Sequence, residues 1–173
     1  MKLTDRVIAV REASLVERCH VLPHVGSYNI GFHTYGVATL CHLLWPDQPQ
    51  LVIAALFHDT PERWTGDVPS QVIKANPAVA GTLAQLDGDI TGMLSLPCEH
   101  HLNDVDFARF KACDRLEFWL WCRDQLAFGN QMILNAMESI EDTLESDNNT
   151  PPEVLTLYMD LKDEGWKRHK ESI

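Results

Sequence analysis

Seven apolar residues in an unbroken run, Leu51-Val52-Ile53-Ala54-Ala55-Leu56-Phe57, end directly in His58-Asp59. A helix built from this run has no polar face, so the segment predicts the central, most buried helix of the protein. It carries an imidazole and a carboxylate towards the interior with it. An ionised aspartate is almost never placed among apolar side chains without a partner. A divalent cation satisfies both groups together, because imidazole nitrogen and carboxylate oxygen are both good ligands for first-row metals. Two side chains do not complete a site, so further ligands are required. His33 opens the amphipathic segment His33-Thr34-Tyr35-Gly36-Val37-Ala38-Thr39-Leu40. Asp114 lies in Phe110-Lys111-Ala112-Cys113-Asp114-Arg115-Leu116, again a carboxylate amid apolar helical positions.

The periodicity is helical almost throughout, with no alternating strand pattern. A first helix is expected from a Thr4 cap to about Cys19, with Val7, Val10, Leu15 and Val16 facing inward. Pro23, Gly26 and Gly31 mark a loop that delivers His33 to the next helix, which Trp45-Pro46-Asp47 ends after Leu44. The apolar helix spans Pro49 to roughly Thr60, and Pro61 must distort the backbone just after His58-Asp59. Gly66-Asp67-Val68-Pro69 reads as a turn, followed by a short helix from Pro69 or Ser70 to Ala75. Asn76-Pro77 opens a longer helix carrying Val79, Leu83, Leu86, Ile90 and Leu94. Another runs from near Asp104 to about Phe128, with Gly129 as its stop. The last two are expected from Met132 to Leu144 and from a Thr150 cap to about Lys170. The reading is an all-α orthogonal bundle in a single domain, since 173 residues suffice for one proper core.

A net charge of −11 argues against a general nucleic-acid binder, which would show a basic stripe. It leaves an anionic small molecule open, because a dication and a few cationic side chains reverse the potential inside one pocket. Cys19, Cys41, Cys98, Cys113 and Cys122 form no Cys-x-x-Cys pair, a pattern that fits reduced thiols in a cytoplasm. Cys41, Cys113 and Cys122 read as buried fillers. No apolar run approaches a membrane span, and the N-terminus lacks the apolar core of a signal peptide.

The order His33, His58-Asp59, Asp114 resembles that of the HD-domain metal-dependent phosphohydrolases. The string His58-Asp59-Thr60-Pro61-Glu62-Arg63-Trp64-Thr65-Gly66-Asp67-Val68-Pro69 is similar to one branch of that family, which removes phosphate from 2′-deoxynucleotides. That branch includes bacterial 5′-deoxynucleotidases and compact phage-type deoxyadenosine triphosphohydrolases. An upstream Arg18 and the downstream Ala127-Phe128-Gly129-Asn130 extend the likeness over most of the chain. The resemblance implies a bundle of the HD type and one divalent transition metal held by His33, His58, Asp59 and Asp114. Four protein ligands leave up to two positions on a six-coordinate ion for water and a substrate oxygen. Mixed nitrogen and oxygen ligation suits Mn, Co, Zn, Fe or Ni better than Mg. Self-association is implied too, although no seam is visible.

Glu62 follows Asp59 by three residues and His58 by four, one turn along the same face. It is assigned general acid/base work on the attacking water or the leaving ribose oxygen. The alternative is a solvated carboxylate paired with Arg63 or Arg18. Asp67, on the turn, is read from the family pattern as positioning the sugar or the water. Arg18, Lys74 and Lys111 are the candidate phosphate clamps, the arginine bidentate and the lysines as point charges. Both lysines also fit as surface solubilisers. The bacterial branch carries tryptophan after its arginine; here Cys19 and His20 follow Arg18, leaving His20, Leu22 or Trp64 to line a base pocket. The sequence leans towards dNTP hydrolysis, with dATP as a candidate, releasing deoxynucleoside and triphosphate. A 5′-deoxynucleotidase acting on dNMPs and a non-catalytic nucleotide-binding module stay open as alternatives.

Overall fold

In the computed structural model, which describes residues 1–164, the helical periodicity resolves into nine α-helices among those residues. They are α1 (Leu3–Ala13), α2 (Ile30–Leu44), α3 (Pro49–Phe57), α4 (Glu62–Thr65), α5 (Ser70–Ala75), α6 (Pro77–Leu94), α7 (Asp104–Ala127), α8 (Leu134–Ser146) and α9 (Pro152–Glu164). Strands are absent among the described residues; one antiparallel bridge joins Glu17 and Asn29. No described helix is long and apolar enough to cross a membrane. The all-α bundle expected from the periodicity is the fold observed.

The centre of the bundle is α7, not the apolar α3. On α3 only Leu51, Ala54 and Ala55 are buried, while Ile53 and Leu56 are about 40 % exposed. Hydrophobicity all round did not bury α3 because it meets the core with its two small residues and Leu51. The 24-residue α7 instead packs against α2, α3, α8 and α9. Phe110, Cys113, Leu116 and Trp119 of α7 meet Val37 and Cys41 of α2, Leu51 and Ala55 of α3, and Tyr158 of α9. Leu116 has no exposed surface. Leu116→Ala is expected to destabilise the protein by about 2–5 kcal/mol, read as a fall in the denaturant midpoint.

The first helix stops at Ala13, well short of Cys19. Beyond it the backbone pairs with the segment leading into α2: Arg18 N–H donates to the Tyr28 carbonyl at 2.7 Å, and Ile30 N–H to that of Val16 at 3.0 Å. A helix through Cys19 would forfeit these bonds. Ala9 and Ala13 face inward on α1, whereas Val7 and Leu15 are exposed, because the close approach selects small side chains. Lys2, not Thr4, occupies the cap position. On α6, Ile90 and Leu94 are buried but Val79 and Leu86 are exposed, so only its C-terminal half joins the core. The segment Gln131–Ile133 forms a 3-10 turn, which delays α8 to Leu134. The Thr150 hydroxyl is buried without a partner and does not cap α9. The expected extension of this helix to about Lys170 lies outside the described residues.

Candidate metal centre

Three elements deliver the site. Asn29 caps α2 by accepting the Phe32 N–H at 2.9 Å, which starts the helix one turn earlier than the sequence suggested. His33 therefore sits inside the first turn, with its ring fully buried. The α3 helix ends at Phe57, and the residues ahead of Pro61 leave the helical ladder there. His58 and Asp59 lie on this break, and α4 restarts at Glu62, whose N–H donates to the Asp59 carbonyl at 3.0 Å. From the middle of α7 come Lys111 and Asp114.

Nitrogens of His33 and His58 and an oxygen of Asp114 converge within 4.8 Å of one another. The Asp59 carboxylate borders them, 3.1 Å from His58 Nε2 and 3.6 Å from His33 Nε2. It is also paired with Arg18. All four residues read as ligands from sequence thus meet in one place, with Asp59 shared between the cluster and the guanidinium.

The histidine hydrogen bonds suit this cluster to a cation. His58 Nδ1 lies 2.9 Å from the Ala55 carbonyl, which can only accept, so Nδ1 carries the proton. His33 Nδ1 contacts the Glu117 carboxylate and is a donor for the same reason. Both Nε2 atoms then present lone pairs. Each is buried without a hydrogen-bond partner, and each faces a carboxylate: His33 Nε2 is 3.1 Å from Asp114 Oδ1. Lone pairs turned on carboxylate oxygens in a buried space repel unless a cation lies between them. The donor set of two imidazoles and two carboxylates therefore fits a divalent metal.

Protons take the cation's place when none is bound. Burial opposes it, but Asp59 pushes the His58 imidazole up to about 9. Burial, reinforced by the Asp59 charge, pushes the Glu62 carboxyl up to about 9. Asp114 lies well below the usual carboxylate range: burial works against this, and Lys111 and His33 outweigh it.

The other sequence candidates fall in two groups. Arg18, Glu62, Asp67 and Lys111 adjoin the cluster. Lys111 Nζ is 2.6 Å from Asp114 Oδ2. The Arg18 Nε is buried without a partner, as is Glu62 Oε2. Arg63 pairs with Glu12 rather than with Glu62. After Gly66, whose φ of +69° combined with a ψ of 169° is essentially confined to glycine, Asp67 Oδ2 accepts the Cys19 N–H at 2.7 Å. This bond pins Cys19 at a φ of +55° and so fixes the peptide that follows Arg18. Lys74, by contrast, is exposed on α5, and among the described residues no ion pair or hydrogen bond ties its side chain to the cluster. Trp64 is 41 % exposed under the Arg63 guanidinium rather than in the core. Asn130 Nδ2 donates to the Pro23 carbonyl at 2.8 Å, and the Gln125 amide brackets Val25. The Ala127-Phe128-Gly129-Asn130 string thus anchors the loop that follows Arg18.

Glu117 escaped the sequence reading, with Tyr28 and Gly36 around it. A signal existed: Leu116-Glu117-Phe118-Trp119 places a carboxylate in an apolar helical stretch one turn beyond Asp114.

Comparison with known proteins agrees with this geometry. A family described as YfbR-like 5′-deoxynucleotidase matches residues 7–161. A 5′-deoxynucleotidase of Photobacterium profundum is 27 % identical over 161 residues, covering 80 % of this chain and 82 % of the relative. Among solved structures, the cyanophage S-2L HD phosphohydrolase DatZ, bound to dA and one catalytic Zn2+ ion, superposes with a TM-score of 0.62 at 20 % identity. That match covers 95 % of this chain and 98 % of the phage protein. An HD-domain phosphohydrolase of Listeria innocua superposes with a TM-score of 0.63 at 14 % identity, covering 95 % of this chain and all of that one. At such identities the likeness of structures establishes the fold.

Proposed function

The chain belongs to the YfbR-like 5′-deoxynucleotidase family, and from that membership we propose that it hydrolyses 2′-deoxynucleoside 5′-monophosphates to deoxynucleoside and phosphate. The Photobacterium profundum relative is a 5′-deoxynucleotidase by name. That favours dNMP over the dNTP substrate towards which the sequence leaned. One observation carries the reading to this chain. Four of its buried polar atoms without partners, Arg18 Nε, His33 Nε2, His58 Nε2 and Glu62 Oε2, belong to residues of a single cluster. Such atoms cost free energy unless a ligand satisfies them.

His33, His58, Asp59 and Asp114 would hold a divalent cation, and their mixed donors suit Mn, Co, Zn, Fe or Ni better than Mg. When bound, the ion supplies a lowered pKa for a water nucleophile and offsets charge on phosphoryl oxygens. The side chains do the rest. Arg18 turns a free guanidinium nitrogen to a phosphate oxygen, and Lys111 adds a second positive charge beside Asp114. Lys74 is left to the tail of a longer substrate or to solvent. Glu62, whose carboxyl burial and the Asp59 charge push up to about 9 without the metal, would give its proton to the leaving 5′ oxygen or, once ionised, accept one from the attacking water. Asp67, whose Oδ2 accepts the Cys19 N–H, would position the sugar or the water. The one domain formed by the described helices would carry this chemistry. Buried thiols at Cys41, Cys113 and Cys122 fit work in a reducing cytoplasm.

A panel of dNMPs and dNTPs, assayed after chelation and after return of Mn or Co, tests the reading. Orthophosphate from dNMPs is expected only with metal returned. Release of intact triphosphate from dNTPs at comparable rates would restore the triphosphate alternative.

A further inference from the structure

A carboxylate at the heart of α7 needs a reason. The Glu117 side chain is 5 % exposed and lies where packing alone would favour leucine. Its Oε2 accepts two hydrogen bonds, from the Tyr28 hydroxyl at 2.7 Å and from His33 Nδ1. Both donors belong to fully buried residues. We infer that Glu117 is a positioning residue for the metal centre, fixing His33 in the tautomer and orientation that aim its Nε2 lone pair at the cation. The inference rests on the reading of His33 as a ligand.

Chemistry and geometry both support it. The opposite tautomer would set an Nδ1 lone pair against the carboxylate, two acceptors in contact inside the protein. The neighbouring helix is cut to fit: a Cβ on Gly36 would lie 2.6 Å from Glu117 Cγ and 3.1 Å from Oε1. A contact of 2.6 Å is closer than carbon atoms tolerate, so glycine on α2 makes the room that Glu117 occupies. The Tyr28 hydroxyl donates to the same Oε2 at 2.7 Å and holds the carboxylate against His33. His58 has its own Nδ1 partner, the Ala55 carbonyl. Each imidazole of the site thus has a dedicated group behind it. Removing such a partner typically weakens metal binding by about 10–100-fold.

The test compares wild-type protein with Glu117→Gln, Glu117→Ala and Gly36→Ala. Each metal-free protein is titrated with Co2+ against a chromophoric chelator, and its fold is followed by far-UV circular dichroism. Glu117→Ala should keep its helical signal and bind Co2+ about 10–100-fold more weakly. Glu117→Gln retains an acceptor oxygen at the same reach and should recover most of that loss, with Gly36→Ala in between. Unchanged affinity in folded Glu117→Ala would overturn the inference. Equal weakening by Gln and Ala would do so too, by assigning the effect to charge. Unfolding of all three variants would make the role purely structural and overturn it as well. Failure of wild-type protein to bind Co2+ is a separate result, which removes the ligand reading of His33 itself.

Discussion

Asp59→Asn is expected to lower the proposed dNMP turnover by about a thousand-fold or more, through the loss of several kcal/mol of charge stabilisation at the phosphorus. The carboxylate borders the Nε2 atoms of both His33 and His58 and is ion-paired with Arg18. Asparagine keeps the shape but removes the charge that both the cation and the guanidinium use. Metal content should fall together with activity, because the amide is a weaker ligand. The measurement is kcat/KM at saturating Mn or Co, with bound metal determined on the same samples and a melting curve to verify the fold. Turnover at the wild-type level would be incompatible with a reaction run from this cluster.

Glu62→Gln should separate proton transfer from metal binding. Its carboxyl sits one turn beyond His58-Asp59, at the start of α4, with Oε2 buried and unpartnered. Neither arginine suggested as its partner from sequence neutralises it: Arg63 pairs with Glu12 and Arg18 with Asp59. A buried acid held apart from a counter-ion is suited to carrying a proton. Glutamine should leave metal affinity within a fewfold of wild type and lower kcat by about 10²–10⁴-fold. Loss of metal together with activity would reassign Glu62 as a ligand; retention of both would return it to a passive carboxylate.

Most of the site could be read from the chain because its chemistry is locally improbable. His58-Asp59 at the end of an apolar run and Asp114 inside one each stand where a charge is costly. The helical class followed from periodicity for the same reason: pattern survives without knowledge of partners. What was not legible depends on tertiary neighbours. The end of α1 is set by backbone pairing between residues 16–18 and 28–30, which no local propensity encodes. The rank of α3 and α7 in the core depends on which helices surround each, not on hydrophobicity along one of them. Lys111 could be placed beside Asp114 from its spacing of three, but that Lys74 stands exposed on α5 and joins no partner at the cluster depends on how α5 packs. Glu117 was passed over although it obeys the rule that picked out Asp59, because its partners Tyr28 and His33 lie some eighty to ninety positions away.

The donor atoms sit on segments far apart along the chain, from the first turn of α2 to the middle of α7. An ion shared among them would work as a staple. It binds only the folded arrangement, so each tenfold excess over its dissociation constant adds roughly 1.4 kcal/mol to the stability of the folded state. Scarcity of the metal would then do more than idle the chemistry: it would loosen the junction of three helices and leave the idle protein the easier prey for proteolysis.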